Sequence, residues 1–563
     1  MGEIIEKYIG INMEKYENEF NYLLNRFEKA SNYKEQSEWF RKINDQRFIF
    51  ETTYNYVRLQ HFRDMNDGMF KEEFSILSKI EPRYQTLVGQ YYNSILNATY
   101  RNYLEEQWGK QIFQLAELKH DTYSKAIEDD LKKESQLIME YHALLGEAVI
   151  SFSNKELSLS TITPYLNSSD KLTRKKAHEA KYKFFKDNES QFDEILHELV
   201  CTRNKIATKL GYSSFIQLGY KRMNRTGHTS SDLSIYRNQV KNYGVPFVSK
   251  LRESQKNRIG VEKLKYYDEG YLFENGSRTI TDSHQDVLNH YRKFLTEQSP
   301  ETKAFYNELI ANNLMDLSSR TNKMGGNFAT YISYNKHPYL FANLQGTAND
   351  VRILTHETGH AFQFTMSRHW NIPEYIIPYD SAEIFSFGME RLAWPWFESF
   401  FGEDSKRYQY EQLITPFMYM PFASAVDEFE HYLYDHPDVS VNQRKTKWRE
   451  LEHKYLPERD YDGNEFLESG TKFYEIGHLF TTPFYFMDYD LAHFCAVQLW
   501  KNNQESPKET WVNYLEMCRN GGKLPFNDLI KQAHISSPFE ANSLKPVLSY
   551  IEEWIDQTES YIK

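Results

Sequence analysis

The spacing of apolar residues predicts a chain built mostly from long amphipathic helices. Near the N-terminus, Phe20, Leu23, Leu24 and Phe27 recur at intervals of three and four, with charged residues between them. Residues at these intervals lie on one face of an α-helix. The pattern continues to about residue 255, and the first 160 residues contain a single proline, Pro82. We therefore expect long helices that each pack one face against a core.

Turn residues and a short β pattern interrupt the helices in the middle of the chain. The pattern stops at residues 258–282, where Gly260, residues 268–270 and Asn275-Gly276 form turn signals among aromatic residues. It returns over residues 283–313. The chain is predicted to be helical again from Asn349 to the C-terminus.

Two apolar runs between these helical regions predict a β-hairpin. The first, residues 328–334, follows Gly325-Gly326 and is rich in β-forming residues. The second, residues 339–344, follows His337-Pro338 and ends at a turn that contains Gly346. Short runs of this kind between turn residues are typical of paired strands. We expect this hairpin to be the only β structure in the chain.

Composition and charge exclude several classes of protein. The 563 residues include only 24 Gly and 17 Pro, without a stretch that would serve as a linker, so a few large units are expected. Acidic residues outnumber basic ones by 79 to 67, and the net charge of −12 argues against nucleic acid or an anionic membrane as a partner. Aromatic residues make up 16% of the chain, enough for an aromatic core or a ligand channel.

Cysteine usage and the lack of long apolar runs predict a cytoplasmic protein. The cysteines, Cys201, Cys495 and Cys518, are odd in number and contain no CxxC pair, which fits a reducing compartment. The N-terminus is acidic from its third residue and lacks the apolar stretch of a signal peptide. The longest apolar run, residues 413–426, is interrupted by two prolines and is too short to span a bilayer.

One motif carries metal chemistry. Residues 356–360 read His-Glu-Thr-Gly-His, and on a helix His356 and His360 lie roughly 40° apart on one face. Both imidazoles can then reach one Zn²⁺, and Glu357 lies beside the metal, where it can take a proton from water. The alternative is a pair of ordinary helical histidines. The apolar flanks predict a buried helix, in which an unpartnered charged triplet would be costly, so a metal site is favoured.

A catalytic zinc site needs a third protein ligand. The metzincin pattern is excluded, because Gln363 and Met366 stand where it requires Gly and His. The carboxylates downstream are Glu374, Asp380, Glu383 and Glu390.

Glu383 is the favoured third ligand among these carboxylates. Glu383 and Glu390 are seven residues apart and share one helix face, so one could bind the metal while the other holds a ligand histidine. Alternatively, Glu383 is the capping partner of Asp380 at the start of that helix.

Several ordered motifs from about residue 200 onward resemble the oligoendopeptidase F branch of the thimet-oligopeptidase family of zinc peptidases. The bacillus-type oligoendopeptidase F and Pz-peptidase enzymes are the most similar of these. Besides the motif at residues 356–360, the resemblance rests on residues 211–215, Asp316-Leu317 with Lys323, His337-Pro338-Tyr339-Leu340, residues 343–347, Ala382-Glu383, residues 425–429 and residues 478–489.

The resemblance implies a mainly α, zincin-type fold with a small β-sheet beside the active site. Two helical halves would enclose a deep substrate channel with zinc at its floor. Residues 1–200 would form a helical lid region, and residues 201–563 the catalytic zinc-peptidase region. The third metal ligand would be Glu383, with one Zn²⁺ per chain.

The resemblance also implies a zinc-dependent endopeptidase that hydrolyses internal bonds of short peptides. Glu357 would be the general base, and His478 and Tyr485 would stabilise the oxyanion that forms during attack. Because the spacing of these two residues differs from that of the thimet branch, Tyr489 is an alternative to Tyr485.

Substrate is expected to contact Tyr339, Asn343, Gly346 and Tyr489. The strand at residues 339–344 would pair with the extended peptide backbone.

Other functions remain open from the sequence. An exopeptidase on the same scaffold would need a charged group that fixes a substrate terminus, and no unambiguous one stands out. A peptide-binding protein without turnover would not need Glu357. A second metal at Asp427 and His431 is less favoured than a contact on the surface of a helix.

Overall fold

The computed structural model describes residues 10–274 and 284–562. The described chain is mainly helical and includes two small sheets. This confirms the predicted fold class. The turn predicted at Asn275-Gly276 lies outside the described residues.

The N-terminal region is a group of antiparallel helices that begins as the sequence predicts. Phe20, Leu24 and Phe27 are buried on one face of the first helix, which Asn12 caps by accepting a hydrogen bond from the Lys15 amide. The helices are α1 (Met13–Glu28), α2 (Tyr33–Arg63), α3 (Gly68–Leu96), α4 (Arg101–Trp108), α5 (Gln111–Asp121) and α6 (Glu128–Gly146).

A hairpin that the sequence analysis missed follows α6. Strands β1 (Ile150–Phe152) and β2 (Lys155–Leu157) pair antiparallel. Ser153 and Asn154 connect them, both with positive φ, as a two-residue hairpin turn requires. The expectation of a single β element is therefore wrong. Strands of three residues are too short to show an alternating pattern.

Helices resume after this hairpin. They are α7 (Thr163–Leu166), α8 (Lys171–Asp187), α9 (Glu189–Lys209), α10 (Phe215–Arg222), α11 (Ser230–Gln239), a π-helical turn (Val240–Gly244), α12 (Val245–Arg258), α13 (His284–Gln298) and α14 (Pro300–Ala311).

The predicted hairpin is present, and a further strand enlarges it to a sheet. Strand β4 (Phe328–Ile332) pairs antiparallel with β5 (His337–Leu344). Strand β3 (Met315–Ser318) pairs parallel with the opposite side of β5. The strand order is β3-β5-β4, so β5 is the central strand and β4 lies at an edge.

The C-terminal half is helical, as predicted. Its elements are α15 (Ala348–Ser367), α16 (Pro373–Ile376), α17 (Ala382–Leu392), α18 (Phe397–Phe401), α19 (Ser405–Asp435), α20 (Val441–Tyr455), α21 (Glu465–Glu468), α22 (Gly477–Thr481), α23 (Phe486–Glu505), α24 (Pro507–Asn520), α25 (Phe526–Gln532) and α26 (Leu544–Ile562).

The two largest hydrophobic clusters of the described residues hold the helices together. The larger one spans α6 to α26, also takes in Leu59 of α2, and includes the apolar faces of α15, α17 and α23, of which α17 packs against the other two. The smaller one fills the N-terminal helices and also takes in Ile372 and Tyr375, which follow α15. The segment after α15 therefore joins the N-terminal helices to the rest of the chain. The division at residue 200 stays a prediction.

Candidate active site

The helix that carries the motif, α15, begins at a defined turn. Thr347 and Asp350 form a capping box, and the Asp350 carboxylate also accepts from the amides of Gln345 and Gly346. Gly346 has φ of +79°, a conformation that favours glycine. This turn joins β5 directly to α15, which fixes the start of the motif helix beside the sheet.

His356, His360 and Glu383 bring their ligand atoms together. These atoms lie within 4.8 Å of one another. Glu383 Oε2 lies 3.4 Å from His356 Nε2 and 3.7 Å from His360 Nε2. Two imidazole nitrogens and one carboxylate oxygen form a donor set of the kind that holds catalytic zinc. The residues present therefore fit the predicted metal.

The pKa values of the two histidines shift in opposite directions. His356 Nδ1 lies 2.7 Å from Glu390 Oε1, which leaves Nε2 to face Glu383. Burial alone would lower the pKa of His356, but the hydrogen bond and charge of Glu390 raise it. Burial lowers the pKa of His360 to about 4, so its imidazole is neutral, the form that binds metals.

The structure does not show Glu383 as the capping partner of Asp380. The N-cap of α17 is Ser381, without a side-chain capping bond, and Glu383 instead turns toward the histidines. Ser386 Oγ donates to Glu383 Oε2 at 2.9 Å and so orients the carboxylate. Glu390, on the same helix face, holds His356. The capping alternative is wrong.

Gly359, within the motif, sets how closely α15 and α17 approach. A Cβ atom on Gly359 would lie 2.5 Å from both the carbonyl oxygen of Phe385 and Cα of Ser386. Only a glycine allows this approach, which brings Glu383 to the histidines. The sequence analysis missed this role, although the glycine between the two histidines was visible.

Glu357 lines the same cavity as His356, His360 and Glu383, and its side chain is nearly buried. Its exposed fraction is 8%, and burial raises the pKa of its carboxyl to about 7. The backbone of Ala329, in the edge strand β4, hydrogen-bonds this carboxylate. A carboxyl group in this environment can both take and return a proton near neutral pH.

A cavity of about 1460 Å³ opens over these residues. Its walls come from α7, β4, α15, α17, α19, α22 and α23, and of the residues before 200 only Pro164 and Asn167 are part of the described lining. It is lined by the three candidate metal ligands, Glu357 and, among others, Pro164, Asn167, Asn327, Phe328, Ala329, Phe364, Phe387, Tyr408, Tyr419, His478, Phe486, Tyr489 and His493.

The three predicted oxyanion residues contact one another, and two of them are part of the described cavity lining. His478 and Tyr489 line it, and Tyr485 contacts both, with ring centroids 5.8 Å and 5.3 Å away. Burial, and after it the charge of Glu383, raises the pKa of Tyr489 to about 12. The same two causes raise the pKa of Tyr485 further. Both phenols are therefore protonated and close to the ligand cluster.

The predicted pairing of β5 with substrate is wrong. Strand β5 already pairs on both sides, with β3 and with β4. Among the residues predicted to bind substrate, only Tyr489 is part of the described cavity lining. Tyr339 is 1% exposed in the core, and the Asn343 side chain donates to the carbonyls of Met324 and Gly326. Substrate contact by Tyr339, Asn343 and Gly346 stays a prediction.

Glu374 and the pair Asp427 and His431 have partners away from the ligand cluster. Glu374 accepts from Arg47 and Tyr92 in the N-terminal helices. His431 Nδ1 lies 2.7 Å from the backbone oxygen of Asp427, whose carboxylate pairs with Arg237. This supports the reading of Asp427 and His431 as a contact within a helix.

Sequence comparisons place this arrangement in a known family. The Peptidase M3 N-terminal domain matches residues 6–123, and Peptidase family M3 matches residues 165–547. The second match covers more than half of the chain, so the chain belongs to peptidase family M3. The chain is therefore a peptidase.

Within this family the chain is similar to the oligoendopeptidase F and Pz-peptidase type. A solved structure of Pz peptidase A with an inhibitor has a TM-score of 0.90 and 41% sequence identity, with 98% of both chains covered. An oligoendopeptidase F homolog from Borreliella burgdorferi is 26% identical over 394 residues, 66% of this chain. Group B oligopeptidase PepB from Streptococcus agalactiae is 23% identical over 387 residues, 64% of this chain.

These comparisons confirm the resemblance seen in the sequence. The chain spans 63% and 60% of the length of these two curated relatives. In the described residues, every helix falls short of the length and apolar content needed to cross a membrane.

Proposed function

We propose that this chain is a zinc-dependent endopeptidase that hydrolyses internal bonds of short peptides. The observation that carries the proposal is the convergence of His356, His360 and Glu383 beside Glu357, on the wall of a cavity large enough for a peptide. Cavities for small ligands usually have volumes of about 300–1,000 Å³, and this one is larger. A channel, rather than an open cleft, would admit a flexible peptide and exclude a folded protein.

The ligand set would hold one Zn²⁺, which supplies a Lewis acid that polarises a carbonyl and makes a water more acidic. Glu357 then accepts the proton of the attacking water and later donates it to the leaving amine. Its buried position supports this role, because a carboxyl with a pKa of about 7 exchanges protons readily at neutral pH.

The charge that develops on the scissile carbonyl needs a fixed hydrogen-bond donor. Tyr485 and His478 are our candidates, with Tyr489 as the alternative to Tyr485. The support is the position of His478 and Tyr489 on the cavity wall, the ring contacts of Tyr485 with both, and the protonated state of both phenols.

The edge strand β4 replaces β5 as the element that would pair with substrate. Its residues Phe328 and Ala329 line the cavity together with Asn327, which directly precedes the strand, and Ala329 adjoins Glu357. A peptide added along this edge would present its backbone to the general base. Recognition through backbone atoms would make cleavage partly independent of sequence.

The cavity and the cysteines support a proposal for the partners and the location. We propose short peptides as the partners and the cytoplasm as the location. Cys201, Cys495 and Cys518 are all free thiols in the structure, which suits a reducing compartment.

Metal analysis and product analysis test the proposal. The purified chain should contain one zinc per molecule, and His356→Ala with His360→Ala should abolish both zinc and activity. Peptides blocked at both ends should be cut at internal bonds as well as unblocked ones. Cleavage of unblocked peptides alone, at a fixed distance from one end, would establish the exopeptidase instead. Tight binding without any product would establish a peptide-binding protein.

A further inference from the structure

Buried charged side chains hold the backbone between His478 and Tyr485. Arg203, on α9, is 0% exposed and donates to the carbonyl oxygens of Leu479 at 3.2 Å and Phe480 at 2.6 Å. Its charge is balanced by Glu134 at 2.7 Å. These bonds fix the C-terminal end of α22, the short helix that carries His478.

Phe484 is held on both sides. Arg225 Nη2 donates to the Phe484 carbonyl oxygen at 2.5 Å and also to Asp488 at 2.5 Å. On the other side, the Phe484 amide donates to Glu430 Oε1 at 2.9 Å. Arg225 and Glu430 are both buried. Together they satisfy both backbone polar groups of one residue.

The backbone at Phe484 needs such support. Its φ of +71° lies in the left-handed region, which bulky residues other than glycine rarely adopt. Strain of this kind persists only where the surroundings enforce it, and it is concentrated at functional sites. The Phe484 ring is buried against Gly219, where a Cβ atom would lie 2.6 Å from the ring.

We propose that Arg225 and Glu430 are positioning residues for Tyr485. The inference rests on the proposed function, in which the Tyr485 hydroxyl stabilises the oxyanion. The peptide group whose carbonyl binds Arg225 is also the one that contains the Tyr485 nitrogen. Its orientation therefore sets the direction in which the tyrosine leaves the backbone. A donor displaced by about 1 Å can cost roughly 10²-fold in rate.

Substitutions at Glu430 test this directly. Glu430→Met removes the acceptor for the Phe484 amide, and we expect kcat to fall about 10-fold to 100-fold while KM changes less than about 3-fold. Glu430→Gln keeps an acceptor oxygen and should restore most of kcat. Glu452→Met is the matched control: Glu452 is also buried, but its partners are Tyr461, Arg449 and Arg459. It should lower the unfolding midpoint without this fall in kcat.

Gly219→Ala tests the same inference without changing a polar group. The added methyl presses on the Phe484 ring, while alanine suits the middle of helix α10. We expect kcat to fall with KM nearly unchanged. If Glu430→Met and Gly219→Ala both leave kcat as in the unmodified chain, the inference is wrong.

A double-mutant cycle separates this inference from the proposed function. In the chain that retains Tyr485, Glu430→Met should lower kcat. In the Tyr485→Phe variant it should lower kcat little further, because both substitutions act through the same hydroxyl. Full additivity would overturn the positioning role. If Tyr485→Phe lowers kcat and Glu430→Met does not, only the inference is wrong. If Tyr485→Phe leaves kcat unchanged, the oxyanion assignment is wrong, and the inference is wrong with it.

Discussion

Gly359 touches the backbone of Phe385 so closely that the two helices they belong to have no room for a side chain between them. A Cβ atom at Gly359 would lie 2.5 Å from the Phe385 carbonyl oxygen. That oxygen also accepts a hydrogen bond from Tyr514 at 2.7 Å, so it is held in place from α24. The contact lies between His356 and His360 on one helix and two residues from Glu383 on the other. It therefore sets the size of the metal site.

Gly359→Ala should open the site without unfolding the protein. The methyl must push α17 away from α15, at a cost of about 1–3 kcal/mol, and Glu383 moves with α17. We expect zinc affinity and kcat to fall about 10²-fold or more, measured by chelator competition and peptide turnover. Gly89→Ala, in helix α3 with open space at its Cβ position, should change neither. Unchanged zinc affinity in Gly359→Ala would show that α17 tolerates the shift.

Glu390→Gln should weaken metal binding although Glu390 is not a ligand. The carboxylate lies 2.7 Å from His356 Nδ1 and fixes the tautomer that exposes Nε2. Loss of its charge should reduce zinc affinity about 10-fold to 100-fold. Glu308→Gln is the control, since Glu308 makes the same kind of contact with His337 at 2.8 Å, away from the cavity lining. Equal effects of the two variants would contradict the role.

Glu357→Gln should separate binding from turnover. The amide keeps the shape of the side chain but cannot accept the proton, and the ligands His356, His360 and Glu383 are untouched. Zinc content and peptide affinity should be preserved, while kcat falls by about 10²–10⁴-fold. Calorimetry with a peptide, followed by a turnover assay, measures both. Near-normal hydrolysis would place the general base elsewhere.

Tyr485→Phe should lower kcat by about 10²–10³-fold with little change in KM. A phenol that donates only in the transition state contributes roughly 2.7–4 kcal/mol there and almost nothing to substrate binding. The retained ring keeps its contacts with His478 and Tyr489, so folding is not disturbed. Tyr489→Phe is the comparison. If only Tyr489→Phe shows the fall, the donor is one helical turn further along α23.

Arg47→Met should destabilise the contact between the N-terminal helices and the segment after α15. Burial would raise the pKa of Glu374, but Arg47, at 2.6 Å, lowers it below its usual value. Removal of Arg47 leaves a buried carboxylate unpaired, at a cost of about 3–5 kcal/mol. The loss should be largest at neutral pH and shrink as the pH falls through the lowered pKa, where Glu374 is protonated in both variants. Denaturant unfolding at several pH values measures it, and a loss that does not depend on pH would contradict this account.

Much of the active site was visible in the sequence because its residues are close together along the chain. The spacing of His356 and His360 identifies a metal site on one helix, and the seven-residue interval between Glu383 and Glu390 places both on one helix face. The family resemblance favoured Glu383 as ligand, and Ser381 as the cap of α17 removes the alternative. Helices of this length leave a periodic signal that survives any tertiary context.

The tertiary structure decided what depends on residues distant in sequence. Strand β3 has only four residues, too few for its alternation of apolar and polar side chains to stand out in the sequence. Its parallel pairing nevertheless makes β5 a central strand and leaves β4 at an edge. The contact of Gly359 with Phe385 and the bonds of Arg225 and Glu430 to Phe484 likewise join separate elements. A sequence records which residues can hydrogen-bond or pack closely, but the choice of partner depends on which elements the folded core brings together.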